Sequence, residues 1–122
     1  MRDVEAATRQ VMSSIPNADK DVLYDSKNLK IMVTSIREGF RSGHQGVALD
    51  DILVNGDWGF ELGEVVQRTD VWHGEADVNV PFHAGIYLAD HLPNSRSYFI
   101  PDKGHFFLLN QWSDVLSALV ES

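Results

Sequence analysis

Two residues of this sequence have side chains and surroundings suited to acid–base chemistry, Asp77 and His105. Asp77 follows the short run VWHG, and His105 follows YFIPDKG, 28 residues further along the chain. A carboxylate beside an imidazole is the orienting half of a nucleophilic triad, in which the carboxylate fixes the tautomer and the histidine takes the proton of the nucleophile. Each residue also has a structural explanation. An aspartate before a helix commonly caps it or forms an Asx-turn, and a histidine after Lys103-Gly104 is also typical of a surface turn.

The second half of the chain, residues 67–122, has the pattern that would position this pair. It predicts a strand over Thr69–His73, a helix over Pro81–Leu92, a strand over Ser97–Ile100 and a helix over Phe106–Val120. Strand–helix–strand–helix order indicates a parallel α/β sheet with crossover helices. Ligand sites of such sheets lie at the carboxyl ends of the strands, where both residues fall. The last helix is predicted to bury Leu109, Trp112, Leu116 and Leu119.

The first half, residues 1–66, is predicted to be helical. Asp3 can cap a first helix, Ile15-Pro16-Asn17 breaks it, and a second, amphipathic helix ends near Gly43. A short third helix precedes the turn at Asn55-Gly56-Asp57. We expect most of the apolar positions to pack in a core and a minority to line a substrate pocket. These positions are Val4, Ala7, Val11 and Met12; Leu29, Met32, Val33, Ile36 and Phe40; and Val47, Leu49, Ile52 and Leu53.

The motifs of the second half resemble the C-terminal part of the α/β-hydrolase family. The matching pieces are His73-Gly74-Glu75-Ala76-Asp77 with Val80-Pro81, then Ala89 to Ser95, then Ile100 to Phe106. The resemblance implies that Asp77 is the triad acid and His105 the triad base. It also implies that residues 1–66 form a cap-like segment and that the substrate is a small ester, thioester, amide or related carbonyl compound. Candidate substrate-binding residues are Trp58, in an irregular loop where a cap would meet the site, and Phe106 beside the histidine.

The chain departs from this family at the nucleophile. The family's order is serine, aspartate, histidine, with the serine in a G-x-S-x-G elbow. The nearest serine string, Gly39 to Gly43, has the wrong spacing and lies at a helix end. The aspartate version of the elbow, used by dehalogenase-like members, is absent as well, because Gly56 to Gly59 lacks its spacing. We therefore expect a truncated hydrolase, cut for expression or encoded by a shortened gene, that lacks activity in isolation. The alternative is an inactive module that self-associates, or assembles with a separate N-terminal half, through the unpaired edge of Thr69–His73.

Composition excludes several other functions. The absence of cysteine rules out disulfides, a thiol nucleophile and zinc–thiolate sites, and a net charge of −8 disfavours a nucleic-acid partner. The five histidines have no metal-ligand spacing, and the glycines form no nucleotide-binding loop. No metal or cofactor is therefore predicted. Without a signal sequence or an apolar run long enough to span a bilayer, the chain is expected to be cytoplasmic.

Overall fold

The computed structural model of the chain describes residues 13–121, which form a mixed α/β fold with five α-helices and a two-stranded parallel sheet. The predicted first helix, with Asp3, Val4, Ala7, Val11 and Met12, lies outside the described residues. The elements are α1 (Asn17–Leu23), α2 (Ser26–Gly39), α3 (Gln45–Val54), a 3-10 turn (Leu62–Glu64), β1 (Thr69–Gly74), α4 (Phe82–His91), β2 (Ser95–Ile100), a second 3-10 turn (Phe107–Asn110) and α5 (Trp112–Val120).

The two strands are parallel, and α4 connects them, as the strand–helix–strand pattern predicts. The register runs from Thr69 opposite Ser95 to Gly74 opposite Ile100. Both strands exceed the predicted ranges, because β1 continues to Gly74 and β2 begins at Ser95. This geometry brings the loops that follow β1 and β2 to the same edge of the sheet.

Helix α4 covers one face of the sheet. Val71 and His73 are buried beneath it, and the ring of Phe82 meets Phe99 edge-on at 4.9 Å. Gly85 lets the helix approach closely, because a Cβ atom there would lie 2.8 Å from Nδ1 of His73. The packing of α4 therefore holds the connection from β1 to α4, which contains Asp77, against the sheet.

The opposite face carries an aromatic and charged layer. Trp72 and Tyr98 stack with ring centroids 4.0 Å apart. Near the amino end of the strands, Arg96 donates to Oδ1 of Asp70 at 3.1 Å and to the Ala118 carbonyl at 3.2 Å. An arginine at the last carbonyls of a helix complements the helix dipole. These contacts fix α5 at the end of the sheet remote from Asp77 and His105.

The helical half is tied to the second half through a buried amide. Asn28 of α2 donates to the Val22 carbonyl at 2.9 Å and to Oδ1 of Asn110 at 2.7 Å. Asp25 caps α2 by accepting from the amides of Lys27 and Asn28. The seven-residue helix α1 was not predicted. Pro16 interrupts the helical structure, as expected, but α1 starts at the next residue, Asn17.

The predicted burial of several apolar positions is wrong for the described chain. All residues from 34 to 61 are exposed, so α3 and the end of α2 lack core contacts. The last predicted helix is also interrupted at Gln111, and Leu109 before the interruption is half-buried. The described sheet has only two strands and offers these elements too little surface to cover. The exposed positions are Ile36, Phe40, Val47, Leu49, Ile52, Leu53, Trp112, Leu116 and Leu119.

Candidate active site

Asp77 and His105 meet at the carboxyl edge of the sheet. Asp77 lies three residues beyond the end of β1, and His105 lies five residues beyond the end of β2. Oδ2 of Asp77 and Nδ1 of His105 are 2.9 Å apart, which is a hydrogen bond. The parallel crossover thus brings together the two residues that the sequence singles out.

The two oxygens of Asp77 have different partners. Oδ1 accepts from the amides of Asn79 at 2.8 Å and Val80 at 2.9 Å, which is the Asx-turn arrangement. Oδ2 faces His105. The turn explanation and the triad explanation of Asp77 are therefore compatible, since the turn uses one oxygen and orients the other.

The carboxylate also determines which nitrogen of His105 carries the proton. An ionised carboxylate can only accept hydrogen bonds, so the proton of the neutral ring lies on Nδ1. This leaves the lone pair on Nε2, for which the described residues supply no hydrogen-bond partner. The side chain of His105 is 39% exposed, whereas that of Asp77 is 6% exposed. An oriented imidazole with an open Nε2 is the geometry of a general base.

The surroundings favour the ionised form of Asp77. Burial alone would raise its pKa, but the amide of Val80, the ring of His105 and the amide of Asn79 outweigh burial and lower the pKa below its usual 3.8. His73 lies near the same carboxylate, with Nε2 3.8 Å from Oδ2. That Nε2 instead donates to the Val80 carbonyl at 3.0 Å, so His73 supports the turn that holds Asp77.

The lowered pKa of Asp77 predicts a pH-dependent contribution to stability. A carboxyl group with a lower pKa in the folded state stabilises the fold fully above its unfolded value, and this contribution disappears as pH falls through the folded value. Urea unfolding should therefore show Asp77→Asn less stable than wild type at neutral pH, with the difference shrinking below pH 3.8. The exposed control Asp90→Asn should show a smaller pH-dependent difference. An Asp77→Asn deficit that is the same at all pH values would contradict this prediction.

The loops after the two strands are joined through the main chain. The amide of Glu75 donates to the Ile100 carbonyl at 3.0 Å, and that of Ala76 donates to the Lys103 carbonyl at 2.9 Å. Gly74 makes this approach possible, because a Cβ atom there would lie 2.3 Å from the Lys103 oxygen. Asp102 adopts a left-handed conformation, with φ 59°, to turn the second loop. The separation of Asp77 and His105 therefore depends on main-chain contacts between their loops.

A third carboxylate, which the sequence analysis did not identify, holds the histidine loop. Asp19 of α1 is fully buried, with 0% exposure. Its Oδ2 accepts from the amide of His105 at 3.1 Å, and its Oδ1 accepts from the amide of Phe106 at 2.8 Å. The available signal was the i, i+3, i+4 spacing of Asp19, Val22 and Leu23, which places the acid on the apolar side of a helix.

The pair opens into a cleft of about 160 Å³. Its lining is mostly apolar and includes no serine or threonine hydroxyl. Phe106 meets the ring of His105 edge-on at 5.0 Å, and Trp58 is 61% exposed, but neither residue is part of the lining. Substrate contact by these two residues stays a prediction. The lining residues are Trp72, His73, Gly74, Asp77, Val80, His105, Phe107 and Leu108.

Residues 13–121 contain neither a metal-binding cluster nor a helix that could span a membrane. No three histidine, aspartate or glutamate side chains there converge as metal ligands would. None of the helices in this range combines the length and apolarity needed to cross a membrane.

The chain was also compared with known proteins. No protein-family model matches it, and neither the curated proteins nor the solved structures gave a significant match. Any assignment to the hydrolase family therefore depends on the motifs around Asp77 and His105 and on the geometry of that pair.

Proposed function

We propose that Asp77 and His105 are the acid and base of a serine-type α/β-hydrolase centre whose nucleophile comes from outside this chain. The substrate class is a small ester, thioester, amide or related carbonyl compound. The observation that carries the proposal is the 2.9 Å contact between Oδ2 of Asp77 and Nδ1 of His105, a residue that lines the cleft. The motifs that resemble the hydrolase family support the same assignment.

In this mechanism, Nε2 of His105 takes the proton of a serine hydroxyl as its oxygen bonds to the substrate carbonyl carbon. The resulting imidazolium is stabilised by the carboxylate of Asp77. His105 then returns the proton to the leaving oxygen, sulfur or nitrogen as the bond to the carbonyl carbon breaks. A water molecule repeats the cycle on the acyl intermediate and regenerates the serine.

The nucleophile is assigned to another polypeptide segment for two reasons. The sequence has no G-x-S-x-G elbow, and the lining of the cleft contains no hydroxyl side chain. Removing a triad nucleophile leaves only the contributions of the oxyanion hole and of substrate binding. The isolated chain should therefore have very little hydrolase activity.

The test is labelling by a fluorophosphonate, which phosphonylates activated serines. The tagged chain is isolated from cells that express it and treated with the probe, and adducts are located by intact mass and peptide mapping. The proposal expects label on a serine of a polypeptide that accompanies the chain in stoichiometric amount. His105→Ala should abolish that label, whereas His83→Ala, an exposed histidine on α4, should preserve it.

Two outcomes would contradict the proposal. Label on a serine of this chain that disappears with His105→Ala would make the chain a complete small hydrolase. A folded preparation in which neither the chain nor an accompanying polypeptide takes the probe would remove the support for a serine hydrolase.

The second candidate function is that of an inactive module that forms a dimer. One observation favours it: among the described residues β1 pairs only with β2, so both outer edges of the sheet are open. The amides of Thr69 and Glu75 point toward the β2 side. By the alternation of parallel strands, those of Asp70, Trp72 and Gly74 point outward. An open edge of this kind is a template for a strand of another chain.

We expect light scattering to show a dimer of the purified chain whose proportion rises with concentration. The physical reason is pairing between the outer edges of two copies of β1, together with coverage of exposed residues such as Leu49, Ile52 and Leu53, which are 55%, 67% and 61% exposed. A molar mass that stays monomeric over the whole concentration range would contradict dimer formation.

A further inference from the structure

We infer that Asp19 is a positioning residue for His105, holding the base in place through the main chain of its loop. This inference rests on the proposed function for its catalytic consequence, but the contacts that carry it belong to the chain alone. Asp19 lies in α1, 86 residues before His105. Its side chain is the most completely buried among residues 13–121, with 0% exposure.

The charge of Asp19 is compensated by the histidine loop. A buried carboxylate is costly unless hydrogen bonds or an opposite charge compensate it. No cation pairs with Asp19 among the described residues, and the neighbouring Lys20 donates to Asn17 instead. The compensation comes from two successive backbone amides, those of His105 and Phe106. Hydrogen bonds from backbone amides to an ionised carboxylate are stronger than those between neutral groups. The loop therefore stabilises the buried charge, and the carboxylate stabilises the conformation of the loop.

The loop before His105 lies directly against the carboxylate of Asp19. A Cβ atom on Gly104 would lie 2.3 to 2.5 Å from the carboxylate atoms of Asp19. Only glycine at this position lets the loop lie directly against the acid. Gly104 therefore allows the amides of the two following residues to reach Asp19.

Helix α1, which carries Asp19, is anchored in the fold. Val22 and Leu23, on the same side of the helix as Asp19, are each 5% exposed. The side chain of Asn28 bonds to the Val22 carbonyl and to Asn110. Asp19 therefore projects from an anchored helix, and its two bonds fix the direction in which the chain leaves Gly104. That direction sets whether the ring of His105 reaches Asp77.

The test compares three variants by NMR of the isolated chain. The readout is the Nδ1 proton of His105, which resonates far downfield while it is bonded to Asp77. Asp19→Asn keeps the shape but replaces one acceptor with a donor that faces an amide, so the signal should be lost. Asn28→Ala removes two bonds that anchor α1 and should weaken the signal without abolishing it. Asp21→Asn removes an exposed charge from the same helix and, as the control, should keep the signal.

A measurement on the wild-type chain keeps the inference testable if Asp19→Asn does not fold. Hydrogen exchange at the amides of His105 and Phe106 should be at least about tenfold slower than at Asp102 and Lys103, because the first two donate to a buried group. Equal exchange at all four positions would overturn the inference. A downfield signal that survives Asp19→Asn, or that Asp21→Asn removes equally, would also overturn it.

These results are independent of the probe experiment. Loss of the downfield signal in Asp19→Asn, with no serine labelled in any preparation, would support Asp19 as the residue that positions His105. The same pair of results would count against the hydrolase proposal. If the signal survived Asp19→Asn and a serine were labelled only in the presence of His105, the hydrolase proposal would be supported. The positioning role of Asp19 would then be rejected.

Discussion

Gly74→Ala should lower the free energy of unfolding by about 3 kcal/mol, the upper part of the range for overpacking a tightly packed site. The new Cβ atom would lie 2.3 Å from the Lys103 oxygen and 2.6 Å from the Gly104 oxygen. Both are main-chain atoms and cannot rotate away, so the loop that carries His105 must shift. Urea denaturation, monitored by the fluorescence of the tryptophans, measures the change.

The control for this variant is Gly46→Ala in α3. A Cβ atom on Gly46 has no neighbour within 4 Å, so the stability should be unchanged or raised by up to about 1 kcal/mol. Gly74→Ala should also weaken the downfield signal of His105, because the two loops separate. Equal stabilities of the two alanine variants would show that the loops do not approach each other as closely as described.

Asp77→Asn should slow phosphonylation of the serine in the assembled centre by about 10³- to 10⁴-fold, the effect known for a triad with the wrong tautomer. The amide oxygen can still accept from Asn79 and Val80, so the turn survives. The amide nitrogen then faces His105 and donates to Nδ1. The ring proton moves to Nε2, which can no longer accept the proton of the nucleophile.

The matched control is Asp90→Asn, which removes an exposed carboxylate from α4. Its labelling rate should equal that of wild type, while Asp77→Asn differs by orders of magnitude under the same probe concentration. Near-equal rates for Asp77→Asn and wild type would contradict the role of Asp77 as the triad acid, even with the serine labelled.

The sequence was sufficient to predict the elements that depend on residues close together in the chain. The apolar runs of β1 and β2 and the proline before α4 predicted the parallel unit, and the crossover rule then placed Asp77 beside His105. The end of β1 was displaced by one residue and the start of β2 by two, because the terminal residues of a strand are defined by pairing with the neighbouring strand.

The features that the sequence did not reveal depend on distant partners. The partners of Asp19 are the backbone amides of His105 and Phe106. Because every residue except proline carries such an amide, the residue types at these positions do not indicate a contact with an aspartate. Periodicity predicted Trp112, Leu116 and Leu119 as a buried stripe, but burial requires a facing surface. The described sheet does not supply that surface, and these three residues are more than half exposed.

The long separation between Asp19 and His105 has a consequence for how the chain folds. Pairing of β1 with β2 joins residues 26 apart, since Thr69 lies opposite Ser95, whereas the Asp19 contacts join residues 86 and 87 apart. Closing the longer loop costs about 1 kcal/mol more in chain entropy, because each doubling of length adds about 0.6 kcal/mol. We therefore expect the strand unit to form in the folding transition state and α1 to dock after it. A φ-value near zero at Asp19, beside higher values in the strands, would be the kinetic sign of this order.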